Sequence, residues 1–289
     1  MNLSRKHIQT LALLSSIRWY NIILIALAQY LTAFFVYNSY PFNALVFLDL
    51  KIHLLVLCTL LIVAAGFLVN DFYDFNRDMI TRPKITLFQQ YISKDLRIRL
   101  YFLLNTLGLI FAFIGSFQIF LFFATLYFLL WFYPHKLKKF PILKELTATL
   151  LSISCFFSIS FHYGYIPIEI IYYGFYFFIL LFTRQIIKGR EEIKGELILN
   201  SLSLSGLLGD KNSRLFIRVS ILFQVVFSIY ITQQFYPANW LYFIFFSNLI
   251  LIGVFFWLSK IRPAEFYILH FVYKMLIGLG IFNLIFFSF

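Results

Sequence analysis

The sequence predicts an all-α polytopic membrane protein with nine transmembrane helices. Three observations carry that reading. The chain of 289 residues is 62% hydrophobic and 12% charged, with a mean hydropathy of +0.86, whereas soluble domains are about 25% charged. Apolar runs of roughly 20 residues recur along its length, enough to cross a bilayer as helices that satisfy their own backbone. Basic residues gather on alternate loops between the runs.

The runs fall at about 16–37, 53–72, 97–115, 117–134, 142–162, 166–186, 214–234, 239–259 and 266–287. Short polar or proline-bearing stretches separate them, among them NSYPFN, YPHKLKKFP and QQFYPAN. Arg5, Lys6 and Arg18 precede or open the first run. Arg77, Arg82, Lys84, Lys94, Arg97 and Arg99 follow the second, and Lys136, Lys138, Lys139 and Lys144 follow the fourth. Arg184, Lys188, Arg190, Lys194, Lys211, Arg214 and Arg218 follow the sixth, and Lys260 and Arg262 the eighth. Of the 24 basic residues only Lys51 and Lys274 stand outside this pattern. The positive-inside rule then places the N-terminus in the cytoplasm, the C-terminus outside, and the acidic motifs described next on the cytoplasmic side.

No linker or separate soluble domain is visible, so one transmembrane domain is expected over 1–289, and no cleaved signal peptide is expected before so many further apolar runs. Cys58 and Cys155 lie inside apolar runs and read as core residues. The net charge of +12 is explained by the cytoplasmic basic bias, and no nucleic-acid-binding signature accompanies it. The 40 phenylalanines suit lipid-facing and helix-packing surface.

Only 12 acids are present, so their placement is informative. The second run ends in NDFYDFNRD, where Asp71, Asp74 and Asp78 stand at i, i+3 and i+7 on one helical face. Carboxylates that close repel one another unless a cation joins them. Mg²⁺ suits such a face, since it takes oxygen ligands and is commonly shared between carboxylates and substrate phosphates. The plain alternative is a solvated helix end. Asn70 beside the triad can orient a carboxylate or a phosphate oxygen. After the sixth run comes RQIIKGREEIKGE, with Glu192 and Glu196 at i, i+4 and Gly189 three residues before Glu192. Lys188 and Arg184 lie one and two turns behind Glu192, where cations could hold an anion. An ordinary salt-bridged helix surface is the alternative there. Two acidic faces flanked by basic loops at one end of an apolar bundle would suit a magnesium–diphosphate head whose tail lies in lipid.

These residues resemble the UbiA superfamily of intramembrane prenyltransferases. Asn70, Asp71, Asp74 and Asp78 match the first family motif, N-D-x-x-D-x-x-x-D, in full. The second, R-E-x-x-K-D-x-x-D-x-x-G-D, is matched by Arg184, Lys188 and Gly195, with Glu192 and Glu196 as conservative replacements and Gln185 and Gly189 as departures. Arg18-x-x-Asn21 resembles R-P-x-N, and Tyr133-Pro134 with Lys136, Lys138 and Lys139 resembles the stretch after the fourth span. The resemblance covers essentially the whole chain. It implies a helix bundle around a central cavity open laterally to lipid, and Mg²⁺-dependent transfer of a polyprenyl group from its diphosphate to a lipophilic acceptor. It also implies metal binding by Asp71, Asp74, Asp78, Glu192 and Glu196. Asn70, Arg82, Tyr133, Lys138, Arg184 and Lys188 would meet the substrate, and Arg18 and Asn21 would line the cavity. No nucleic acid or obligate protein partner is implied.

The departures bear on activity. The chain reads TRPKITLF after the first motif, so Ile85 stands where the family has a further arginine. Lys144-Glu145 replaces Gly-Asn, and Gly189 removes one acid from the second motif. The second motif looks most like the branch whose acceptor is geranylgeranylglyceryl phosphate, and an aromatic acceptor of quinone biosynthesis is the alternative. An ion or solute transporter and a non-catalytic lipid-diphosphate binder are readings from other classes. Transporters, however, place charged sites near the midplane on broken helices. Lys274 inside the ninth run would face the cavity, pair or snorkel.

Overall fold

The computed structural model describes residues 5–37, 48–199 and 203–288, which are helical and contain no β-strand. The NSYPFN stretch lies outside the described residues. Two helices open the chain, α1 (Arg5–Ser16) and α2 (Trp19–Leu31), the latter continued by a π-helical turn to Val36. There follow α3 (Leu50–Thr81), α4 (Pro83–Gln89), α5 (Lys94–Gly115), α6 (Phe117–His135), α7 (Leu143–Phe157) and α8 (Ser160–Tyr163). The second half comprises α9 (Ile168–Glu191), α10 (Ile193–Ile198), α11 (Leu204–Phe235), α12 (Leu241–Trp257) and α13 (Phe266–Asn283).

Among the described residues, seven segments are long and apolar enough to cross a membrane: Trp19–Val36, Leu50–Thr81, Lys94–Gly115, Phe117–Lys139, Ile168–Glu191, Leu204–Phe235 and Pro263–Phe287. The protein is therefore an integral, multi-pass membrane protein. Large apolar side chains such as Phe113, Val226, Tyr242, Phe256 and Phe271 are exposed on its outside, as a lipid-facing surface requires.

The expected spans 142–162 and 239–259 appear as shorter helices, for local reasons. α7 stops at Phe157 because the Cys155 carbonyl accepts from Gln29 Nε2 (2.9 Å) and Ser158 Oγ (2.8 Å), which competes with continuation of the helical ladder. α12 stops at Trp257, where Arg214 Nη1 donates to the carbonyls of Leu258 (2.6 Å) and Ile261 (2.8 Å) and so satisfies the helix end.

Packing divides into two apolar clusters. One gathers α9, α11, α12 and α13 around Tyr173, Tyr176, Leu180, Ile217, Leu251 and Tyr273. The other gathers α2, α3, α5, α6 and α7 around Phe34, Leu55, Ile62, Phe123 and Cys155. Cys58 and Cys155 are buried and free, as core residues should be. A cavity of about 290 Å³ lies where the clusters meet, walled by α2, α3, α6, α7, α9 and α13.

Three local features aim the mouth of this cavity. α3 begins at an Asp49 cap accepting from the Lys51 amide at 2.9 Å, and its 32 residues span ~48 Å at 1.5 Å per residue. That exceeds the ~30 Å hydrocarbon core, so one end of α3 projects beyond it as intact helix. Pro83 opens α4 and fixes the turn at Arg82. α1 and α2 are parted by Arg18, whose backbone is left-handed (φ 54°, ψ 54°), a conformation uncommon outside glycine and costly enough to mark a functional position.

Candidate active site at the cavity mouth

Asp71, Asp74 and Asp78 lie on the final turns of α3 and are only 5–7% exposed, which excludes a solvated helix end. Each meets a different cation. Arg18 Nη2 stands 3.6 Å from Asp71 Oδ1. Asp74 is bound by Lys138 and by Arg77 Nη2 at 2.8 Å, and accepts from Asn70 Nδ2 at 2.9 Å. Arg82 Nη2 reaches both oxygens of Asp78 at 3.1 Å. Lys138 also donates to Asn70 Oδ1 at 3.1 Å, with Tyr133 beneath its ammonium at 5.7 Å.

Glu192, at the junction of α9 and α10, faces the same group. Arg82 lies 3.6 Å from its carboxylate, and Arg77 and Lys188 each lie 3.8 Å away. Burial alone would raise its pKa, but Lys188, Arg77 and Arg82 together hold it down, to about 2. The two acidic segments therefore converge, with Arg77 between them touching Asp74, Asp78 and Glu192.

Glu196 turns elsewhere. It is wholly buried; Oε1 takes Lys144 Nζ at 2.5 Å, and Oε2 accepts from the amide and hydroxyl of Ser203. Glu145 accepts from the amides of Ile142 (3.1 Å) and Leu204 (3.0 Å), fastening the start of α7 to that of α11.

The central cavity is amphipathic. Arg18, Asn21, Asn70, Tyr133, Lys138, Arg184, Gln185 and Lys188 line it together with apolar residues that include Leu24, Phe156, Phe177, Ile277 and Leu284. A second hollow of about 400 Å³ lies between α1, α2, α3 and α4, and Arg18, Asp71, Asp78 and Arg82 border it. Arg18 belongs to both, and its guanidinium also lies 5.1 Å from the Phe67 ring centre. Lys274 is exposed on α13 and is not among the residues lining the cavity.

Among the described residues, no three acids, histidines or cysteines form a ready metal cage. The donor set nevertheless fits a hard cation at one point. Asp71 Oδ2 is buried and has no hydrogen-bond partner, an open valence that buried carboxylates seldom keep, and Asp78 shares its hollow.

The UbiA prenyltransferase family profile matches residues 26–267. The chain belongs to that family. A digeranylgeranylglyceryl phosphate synthase of Sulfolobus acidocaldarius is 27% identical over 248 residues, spanning 84% of this chain and 82% of that enzyme. Three further relatives of the same name, from Methanobrevibacter smithii, Pyrococcus furiosus and Thermococcus sibiricus, are matched over 61%, 54% and 56% of their length, which is less than two thirds. A solved structure concerned with digeranylgeranylglyceryl phosphate synthase shares the fold with a TM-score of 0.71 at 20% identity, covering 96% of this chain and 97% of that one. A UbiA homologue of Archaeoglobus fulgidus, bound to GPP and Mg²⁺, superposes with a TM-score of 0.68 at 15% identity, covering 95% and 99%.

Four participants escaped the sequence reading of the site. Arg77 reads as one of the basic residues after the second run, yet it sits at i+3 from Asp74, a spacing that already puts the two side by side. Lys144 stands in the sequence as a departure from the family pattern, with nothing local to give it a partner. His270 and Glu191 carried no signal: His270 Nε2 accepts from Arg184 Nε at 3.3 Å and Nδ1 meets Glu191, which braces Arg184 from α13.

Proposed function

We propose that this chain transfers a polyprenyl group from polyprenyl diphosphate to a hydroxyl of a glycerol-phosphate lipid, with geranylgeranylglyceryl phosphate as the acceptor. One observation carries the reading: Asn70, Lys138 and Lys188 line a largely apolar cavity, the first two holding Asp74 at it, while Asp71 and Asp78 border the adjoining hollow that shares Arg18 with it. The names of the relatives support the glycerol-phosphate acceptor over an aromatic one. A cavity whose walls come from both packing clusters supports reading 1–289 as a single domain. α7 with α8, and α12, serve as the remaining two spans of a nine-helix bundle, and the basic mouth faces the cytoplasm.

Asp71, Asp74, Asp78 and Glu192 would hold Mg²⁺, the ion that accompanies GPP in the Archaeoglobus fulgidus homologue. When bound, the ion stabilises the negative charge that develops on the departing diphosphate. The chain does the rest. Lys138, Lys188 and Arg184 draw the diphosphate to the mouth, and Asn70 fixes the Lys138 ammonium against it. The apolar end receives the prenyl tail and shields the allylic carbon from water. The C–O bond to diphosphate breaks, the acceptor oxygen takes its place, and the hydroxyl proton leaves with the diphosphate. Arg18 and Asn21, at the cavity edge, suit the acceptor phosphate.

The test is transfer from labelled geranylgeranyl diphosphate with Mg²⁺, using geranylgeranylglyceryl phosphate and hydroxybenzoate-type acceptors, and Asp71→Asn as control. Labelled ether lipid, lost in the variant, is expected. Product on the aromatic acceptor alone would favour the quinone branch. Binding without transfer to either would make the chain a non-catalytic binder.

A further inference from the structure

Resting on the prenyl-diphosphate reading, the geometry points to a site that takes one divalent cation per chain, on the Asp71 side, with the Lys144 ammonium permanently filling the place of a second. Across the α9–α10 junction two positions, Gly189 and Glu196, are closed to a metal, and a third, Glu192, stands among cations.

Gly189 is the first. A Cβ there would stand 2.3 Å from Ser205 Oγ and 2.7 Å from Ser203 Oγ, closer than side chains pack. The two serine hydroxyls, 3.0 Å apart, fill the room that an acidic side chain at 189 would need. The acid is missing, and its space is closed.

Glu196 is the second. Lys144, the Ser203 amide and the Ser203 hydroxyl together engage both its oxygens, and the carboxylate is 0% exposed. Recruiting it to a metal would separate a buried ion pair and strand the Lys144 charge, which is strongly unfavourable. Lys144 reaches Glu196 from the start of α7, 52 residues away in sequence.

Glu192 is the third. Among the described residues it is the acid of this segment that faces the α3 aspartates, with Arg82, Arg77 and Lys188 at 3.6–3.8 Å. The small hollow beside it is lined by Arg77, Lys138, Lys144 and Lys188 and by the carboxylates Glu145 and Glu192, and Glu145 is already engaged by two backbone amides. Four cations facing these two carboxylates suit phosphate oxygens better than a second dication. On the α3 side two carboxylates, Asp71 and Asp78, share a hollow with two guanidiniums, Arg18 and Arg82, and Asp71 Oδ2 is buried and unpartnered, so an oxygen ligand is open there.

The experiment counts metal ions directly. Purified protein in nanodiscs is saturated with geranylgeranyl S-thiolodiphosphate, a donor analogue that does not react, and titrated with Mn²⁺ while free Mn²⁺ is read by electron paramagnetic resonance. One tight Mn²⁺ per chain is expected in the wild type. The count should stay at one in Glu196→Gln and fall to zero in Asp71→Asn. Two tight ions in the wild type, or loss of an ion in folded Glu196→Gln, would overturn the inference while leaving the diphosphate reading intact. Retention of one ion in Asp71→Asn would overturn it too, by placing the metal elsewhere. Failure of the wild type to bind the analogue at all would instead defeat the prenyl-diphosphate reading, and this inference with it. The wild-type count needs no variant to fold, and the melting temperature of each variant identifies any that does not.

Discussion

Arg77→Met removes the guanidinium that joins the end of α3 to the α9–α10 junction while keeping an unbranched stem of similar length. Arg77 is 6% exposed and spans Asp74 (2.8 Å), Asp78 (3.6 Å) and Glu192 (3.8 Å). Removing one partner of a buried ion pair costs about 3–5 kcal/mol when the other is left alone. Here none is left alone: Asp74 keeps Lys138, Asp78 keeps Arg82, and Glu192 keeps Arg82 and Lys188. The expected loss is therefore smaller, about 2 kcal/mol. Equilibrium unfolding in mixed micelles by SDS titration measures it. A cycle with Glu192→Gln isolates the contact between the two segments, for which about 1–2 kcal/mol of coupling is expected at this separation. Additivity of the two substitutions within about 0.5 kcal/mol, or a variant as stable as the wild type, would refute the placement of Arg77 as the bridge.

Gly189→Ala should destabilise the protein by about 1–3 kcal/mol through overpacking, and Ser205→Ala in the same chain should recover part of the loss, since Ser203 Oγ still lies 2.7 Å from the new Cβ, both read by the same titration. Gly209 interrupts α11 with φ 72°, so Gly209→Ala should cost about 1 kcal/mol or more without affecting binding of the donor analogue. The Glu192 carboxyl, held at about 2, is depressed relative to the unfolded chain. Its contribution, about 3 kcal/mol, is therefore fully present above pH ~4.5 and disappears as pH falls towards 2. Glu192→Gln should flatten that acid limb of stability and leave the profile above pH 5 unchanged. Lys138→Met should lower prenyl transfer by about 100-fold and weaken binding of the donor analogue, since Asn70 and Asp74 lose their shared cation.

What was legible in the sequence was whatever helical periodicity carries. The i, i+3, i+7 spacing of Asp71, Asp74 and Asp78 placed them on one face, and all three are buried together. Of the basic residues named on motif grounds, Arg18, Lys138, Arg184 and Lys188 line the cavity, whereas Arg82 borders the neighbouring hollow. What escaped depends on tertiary partners. Nothing local announces that Lys144 will meet Glu196, or that residues 203–205 will close on Gly189. Hydropathy windows measure apolar content and cannot see where a ladder stops. They therefore read 142–162 as one span, although Gln29 from another helix competes for the Cys155 carbonyl. The same blindness hides the cap that Arg214 places on α12.

The charge arrangement explains how such a mouth can fold before any substrate arrives. Carboxylates at the end of α3 would repel one another if left bare, yet each described one has a cation from a different part of the chain: Arg18, Lys138 or Arg82, with Arg77 shared. The pairs are unequal. Asp74 is tightly held, whereas the contacts of Asp71 and Glu192 are 3.6 Å or longer. On the proposed function, a magnesium–diphosphate brings both signs of charge at once, so carboxylates and cations can exchange their partners without any being stranded in a medium of low dielectric. The groups with the longest contacts are the ones free to exchange first. Glu196 and Lys144, locked at 2.5 Å beneath Ser203, have no such freedom, and they act as the fixed floor against which that exchange takes place.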